Sequence, residues 1–239
     1  MDYWLTTTFA FVIILIGSAV QTAIGFGMAI IAAPLLFLIN PDYVPGPIIL
    51  AALFNCLANT YYFRHSISMR GLTAAMLGRI PGCIVGGGIL LILSPSLIAA
   101  SLAILIAFAL LTSLANWSFQ ATPKALFIAG FASGLTGTST SIGGPPMALI
   151  VQNESTDFIR ANLAGFFLYS CITSLIILVI MGKFNWQHLQ LGLPLVPATL
   201  LGNWLAYRLL HFISKAQIRQ FTLCLCCIAI ISLLFEVFA

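Results

Sequence analysis

Eight apolar stretches, at 5–38, 44–63, 71–93, 96–115, 125–151, 161–181, 189–213 and 220–238, make up most of this chain. Nothing else constrains its folding so strongly. A helix needs about 20 apolar residues to cross the hydrocarbon core of a bilayer, and most of these runs reach that length. Only 6% of the residues are charged, against roughly a quarter in a soluble domain, so the chain cannot cover itself for water. The expected fold is an all-α polytopic membrane protein, a single integral domain over residues 1–239. Asp2 precedes the first apolar run with no Lys or Arg beside it. A cleaved leader begins with basic residues, so the first span is expected to stay.

Two stretches are anomalous. Residues 5–38 are too long for one span and contain the sequence QTAIGFG (21–27); residues 125–151 contain TGTSTSIGGPPM (136–147) at the matching place. An offset of 112 puts Gly25 on Gly137 and Pro34 on Pro146, and further along Pro81 aligns with Pro197 and Gly86 with Gly202. The chain therefore reads as two homologous halves, about 5–115 and 125–238. Each is a broken segment, a helix, a Pro-bearing helix and a further helix. Gly/Pro-interrupted segments at corresponding places in two halves point to a transporter's binding site near the midplane.

Cytoplasmic loops carry the excess of Lys and Arg. If each broken segment crosses once, the basic residues divide almost evenly between the two faces. If each is instead a re-entrant hairpin, Arg64, Arg70, Lys124, Arg160, Lys215 and Arg219 share one face, and Lys183 alone lies opposite. Three full spans per half then make the repeats inverted, with both termini outside the cytoplasm. Non-helical backbone at membrane depth is tolerated only inside protein or along a wet cavity, so both breaks should face inward.

Pro145 and Pro146 suit a first helical turn, where a missing N–H costs nothing. A half-helix from Met147 onward would aim its N-terminus, with free N–H groups and partial positive charge, at an anion. Gly143 and Gly144 allow close approach to the backbone. Thr138, Ser139, Thr140 and Ser141 add hydroxyls, and Gln21, Thr22, Gly25 and Gly27 form the partner surface. The plainer reading is that small residues here only let helices pack closely in lipid. Asn55 and Asn59, four apart, share one helix face and serve either as glue between helices or as pathway lining; Asn203 has the same two readings. Arg79 lies about 12 Å into its helix. It either snorkels to the interface, as expected for Arg208, or is a buried cation beside the site.

Asp2, Asp42, Glu154, Asp157 and Glu236 fall in connectors or near segment ends, as do His65, His188 and His211, so a carboxylate proton relay has no carrier. There is no G-x-x-x-x-G-K-[ST] loop, no spacing for metal ligands and no nucleophile–base pair, so neither an enzyme nor a cofactor is expected. Cys56, Cys83 and Cys171, and the cluster of Cys224, Cys226 and Cys227, read as packing residues. The net charge of +4 reflects loop orientation, with no basic patch for nucleic acid. An anion leaving a negative-inside cell needs no coupling ion.

At GSAVQTAIGFGMAIIAAPLL (17–36), GFASGLTGTSTSIGGPPMALI (130–150) and the helices around Pro81 and Pro197, the sequence resembles the sulfite exporter TauE/SafE family. Met28 and Ala29 stand where that family commonly has further glycines. The resemblance implies a secondary transporter or facilitator in a bacterial-type plasma membrane. It implies that sulfite, an organosulfonate or a related small anion is moved outward, and that the partners are that anion and the bilayer. Another anion such as a carboxylate, a non-transporting scaffold, and association into a homo-oligomer remain open at this stage.

Overall fold

A computed structural model describes residues 3–67, 72–114, 120–152 and 154–209. The apolar stretch 220–238 with its three cysteines lies outside the described residues, as do Asp2, Arg70, His211, Lys215, Arg219 and Glu236 and the side chain of Asp157. Among the described residues all regular structure is helical, in ten α-helices and two short 3-10 turns. The α-helices are α1 (Tyr3–Ile24), α2 (Met28–Ile39), α3 (Gly46–Tyr62), α4 (Leu72–Ile92), α5 (Pro95–Leu114), α6 (Pro123–Thr140), α7 (Gly144–Val151), α8 (Thr156–Ile180), α9 (Trp186–Gly192) and α10 (Leu195–Leu209). Five segments are long and apolar enough to cross a membrane: Trp4–Ile24, Pro41–Tyr62, Leu72–Ile92, Phe158–Ile180 and Trp186–Leu209.

Local chemistry sets the ends of these helices. Thr122 caps α6 by accepting the Ala125 N–H at 3.2 Å, with Pro123 in the first turn, and Ser155 caps α8 through the Phe158 N–H. Asn185 and His188 form a reciprocal capping box on α9, satisfying donors that a helix start leaves orphaned. The long stretch at 189–213 is itself interrupted, since a turn at Leu193 and Pro194 separates α9 from α10.

Both anomalous stretches do break, at residues 25–27 and 141–143. Gly25 and Ser141 open the two breaks, with φ of 102° and 68°. Their separation of 116 residues equals that of Pro81 from Pro197. The offset of 112 expected for the broken segments is therefore one turn short. Gly137, the residue matched to Gly25, still lies inside α6, and a slip of about one helical turn preserves the face, which is why the glycines appeared to align. The half-helix of the second break begins at Gly144, three residues ahead of the expected Met147.

Packing crosses between the halves. The opening helix of each half lies against the Pro-bearing helix of the other, α1 on α10 and α6 on α4, and α3 lies against α8. The α4–α6 contact is very close. Gly78, Gly82 and Gly86 recur every four residues along α4, opposite Gly130 and Gly134 on α6. A Cβ at any of the five would stand 2.0 to 2.5 Å from a carbonyl oxygen of the partner backbone. In lipid, where burying apolar side chains between helices gains little, such close backbone approach is what holds helices together. Gly202 makes the equivalent approach of α10 to Leu15 on α1, at 2.4 Å. Two apolar clusters flank the centre. One, around Ile14, Met28, Ile48 and Leu102, joins α1, α2, α3 and α5. The other, around Leu126, Met147, Leu163 and Phe166, joins α6, α7 and α8.

Candidate anion site

The two breaks meet at a cavity of about 50 Å3. From the first break it is lined by Gln21, Phe26 and Gly27, and from the second by Ser141, Gly143 and Gly144. Arg79 of α4 and Ser170, Cys171 and Ser174 of α8 add to its polar lining, and Ile30, Ile48, Ile49 and Phe167 supply apolar lining.

Arg79 is 3% exposed, so its side chain turns into the protein and does not reach the interface. The close approach of α6, and the hydroxyls of α6 and α8, give it somewhere to go. Nη1 donates to Ser133 Oγ at 2.7 Å, and Nη2 to Ser174 Oγ at 3.0 Å and to the Ser170 carbonyl at 3.4 Å. The Phe166 ring lies 5.8 Å from the guanidinium carbon, within reach of a cation–π attraction. Nε is buried with no hydrogen-bond partner. The two acidic side chains that are described, Asp42 and Glu154, are both exposed. A buried charge is ordinarily paired; here neutral oxygens surround the cation and one donor is left over. Ser133 also donates to the Gly143 carbonyl at 2.6 Å, which ties the cation to the second break.

Each short helix begins at the cavity, but they offer it few donors. The first N–H of α2, on Met28, already reaches Gln21 Oε1 at 3.3 Å. The first turn of α7 holds Pro145 and Pro146, which carry no N–H, so Gly144 is its principal donor. Ser141, strained into the left-handed region, donates through Oγ to the Pro45 carbonyl at 3.1 Å.

Of the residues singled out in the sequence, the structure brings Gln21, Gly27, Ser141, Gly143, Gly144 and Arg79 to the cavity. Thr138, Ser139, Thr140, Thr22, Gly25, Asn55 and Asn59 are not among its lining. Thr138 shares a hydrogen bond of 2.9 Å with Ser174, one step behind Arg79. Ser139 and Thr140 return theirs to the Leu135 and Thr136 carbonyls of their own helix. Gly25 packs beside the Arg160 backbone, whose Nε donates to the Ala23 carbonyl at 2.7 Å.

Thr22, Asn55 and Asn59 join Asn203 and Tyr207 in a second buried network on α1, α3 and α10. Asn203 Oδ1 accepts from both Thr22 Oγ1 and Asn55 Nδ2 at 2.8 Å. Asn59 Nδ2 donates to Asn55 Oδ1 at 2.8 Å, while its Oδ1 accepts from the Tyr207 hydroxyl at 2.7 Å. These asparagines spend their hydrogen bonds on one another across helices. Ser133, Ser170 and Ser174 escaped the sequence reading. The i, i+4 spacing of the last two on α8 was a signal of the same kind as Asn55 and Asn59 on α3. Among the described residues no three His, Cys, Asp or Glu side chains come together to hold a metal ion.

Five segments long and apolar enough to span a bilayer, together with two broken helical stretches that meet beside a buried cation, make this a multi-pass membrane protein of transporter type. The chain belongs to the sulfite exporter TauE/SafE family, whose model matches residues 9–233, nearly its whole length. Members of that family are membrane transporters, not enzymes. No curated protein and no solved structure matches it.

Proposed function

We propose that this chain exports a small sulfur-containing anion, of the sulfite or organosulfonate class, across a bacterial-type plasma membrane, and that the anion binds at the cavity between the two breaks. The observation that carries this reading is Arg79, buried with no acidic partner among the described residues and with its Nε unsatisfied. Leaving a cation so buried costs several kcal/mol unless something pairs with it. A sulfur oxyanion supplies the charge and a planar face of oxygens that a guanidinium fork matches. Gly143, Gly144 and Gly27 would bring backbone close to the anion, and Gln21 and Ser141 would add side-chain polarity. Thr138 and the 139–140 hydroxyls would act behind this layer, and Asn55 and Asn59 would hold the opposite bundle.

The topology belongs to the same proposal. Two related halves are supported by the crossed packing of α1 on α10 and α6 on α4, and by the single offset relating both breaks and both prolines; their inversion, with both termini outside, rests on the share of Lys and Arg between the two faces. A scaffold without transport would have no use for an unpaired cation at a cavity. A carboxylate remains the competing substrate, since it offers the same charge. Efflux of labelled sulfite and methanesulfonate from proteoliposomes tests the reading. Wild-type flux that falls about 10- to 100-fold in Arg79→Gln supports it, the range expected for losing a charged hydrogen-bond partner. Flux unchanged in that variant would remove Arg79 from the site.

A further inference from the structure

Two thiols, Cys56 of α3 and Cys171 of α8, line the same cavity as Arg79. Both are free and buried, 1% and 8% exposed, and both belong to one apolar cluster. Helix α3 lies against α8, and the two side chains hydrogen-bond to each other across that contact. Gln21 Nε2 donates to Cys56 Sγ at 3.4 Å. The remaining described cysteine, Cys83, is not part of the cavity lining; its sulfur faces the Thr173 and Ser174 hydroxyls at 3.8 and 3.7 Å.

We infer that Cys56 and Cys171 form a two-coordinate site for a monovalent thiophilic metal ion, of the Cu(I) or Ag(I) class, with the Arg79 guanidinium as its counter-charge. Thiolates are soft ligands that select soft ions. The thiolate is the ligand form, so binding forms two metal–sulfur bonds and releases two protons to water, with no change of oxidation state. Two thiolates around one monovalent ion carry a net charge of minus one. Arg79 is 3% exposed, with Nε unpartnered and no acid among the described cavity residues, and it supplies the matching positive charge. The Gln21 N–H already turned to the Cys56 sulfur is the outer partner that a metal ligand ordinarily has. Zinc would need four ligands, and among the described residues no third His, Cys, Asp or Glu joins the pair. The cavity of about 50 Å3 exceeds the roughly 10–15 Å3 of one water-sized group, so an ion fits. The proposed anion draws on the same guanidinium, so the two ligands would exclude one another.

Cu(I), presented as a coloured chelate under a thiol-free reductant, is titrated into the full-length chain in detergent. The chain carries Cys83→Ala, Cys224→Ala, Cys226→Ala and Cys227→Ala, which leave only the pair, and transfer is read as loss of the chelate's absorption. About one ion per chain should be taken up. Affinity should fall more than about 100-fold in Cys56→Ser and in Cys171→Ser, and about 10- to 100-fold in Arg79→Gln, the range for losing an outer partner of a metal site. Arg79→Lys, which keeps the charge, should recover most of that loss. No uptake, an ion retained by a single thiol, or an affinity unchanged in Arg79→Gln overturns the inference. If the four replacements spoil folding, the wild-type chain serves instead. There Cys56→Ser, Cys171→Ser and the double variant should all lose the same single ion, and losses that add between the two positions overturn the shared site.

Discussion

At the scale of single residues, neighbouring glycines carry different burdens. A Cβ at Gly144 would meet only Phe26, at an ordinary 3.5 Å, whereas one at Gly143 would press to 2.8 Å on the Ser133 carbonyl. Gly144→Ala should therefore melt within a degree or two of wild type while narrowing the cavity, and should weaken methanesulfonate binding severalfold. Gly143→Ala should lower the melting temperature, because the strand of contacts from Gly143 through Ser133 to Arg79 must shift. Parallel thermal melts and titrations of the two variants check this pair; equal behaviour would show that the break has more freedom than its contacts imply. The buried amides allow a separate prediction. Asn203→Leu strands donors on both Thr22 and Asn55, and should cost about 1–3 kcal/mol of stability. Because none of the three lines the cavity, anion affinity should stay within about twofold in whatever fraction remains folded. The glycine and proline punctuation of the breaks was plain in the sequence, and so was the placing of every Asp and Glu in connectors or near segment ends. Which way the Arg79 side chain turns was not, because snorkelling and burial place the same residue at the same depth.

At the scale of elements, the interval of four between Gly78, Gly82 and Gly86 fixes how near α4 can lie to α6. Gly82→Ala would drive a Cβ to 2.2 Å from the Phe131 carbonyl, so the helices must part along their length. A drop of several degrees in the melting temperature is expected, together with weaker anion binding, because Arg79 and Ser133 sit on the two helices being separated. A variant that kept both properties would show that the contact slides without cost. Element positions were largely legible, since the apolar runs foretold nearly every helix. The register between the halves was not. Matching Gly25 to Gly137 erred by one turn, because a shift of about one turn returns a residue to the same face, and only the location of the two breaks resolved it.

At the scale of the whole molecule, the proposal of an uncoupled anion carrier fixes how flux should answer to voltage. Each exported charge gains about 2.3 kcal/mol per 100 mV, equivalent to roughly a 50-fold concentration ratio. Liposomes poised at 100 mV should therefore approach an anion gradient of that order. A gradient indifferent to potential would point to a coupling ion. Topology has its own check. Single cysteines at Lys124 and Lys183, in a background lacking native ones, should react with an impermeant maleimide from opposite faces of the membrane.

The sequence by itself determined that this chain lives in a bilayer as a bundle of helices, because so few charges and such long apolar runs leave no other stable arrangement. It also determined where two of those helices must break, since Gly and Pro act on the backbone locally. Only the tertiary structure decided which polar residues meet the cavity and which meet one another. Thr22 and Asn55 face Asn203, more than 140 residues away in sequence, while Arg79 finds Ser133 and Ser174. In a medium that offers no water, each buried polar group takes the partner that helix packing brings to it, and that packing is set by contacts between distant segments.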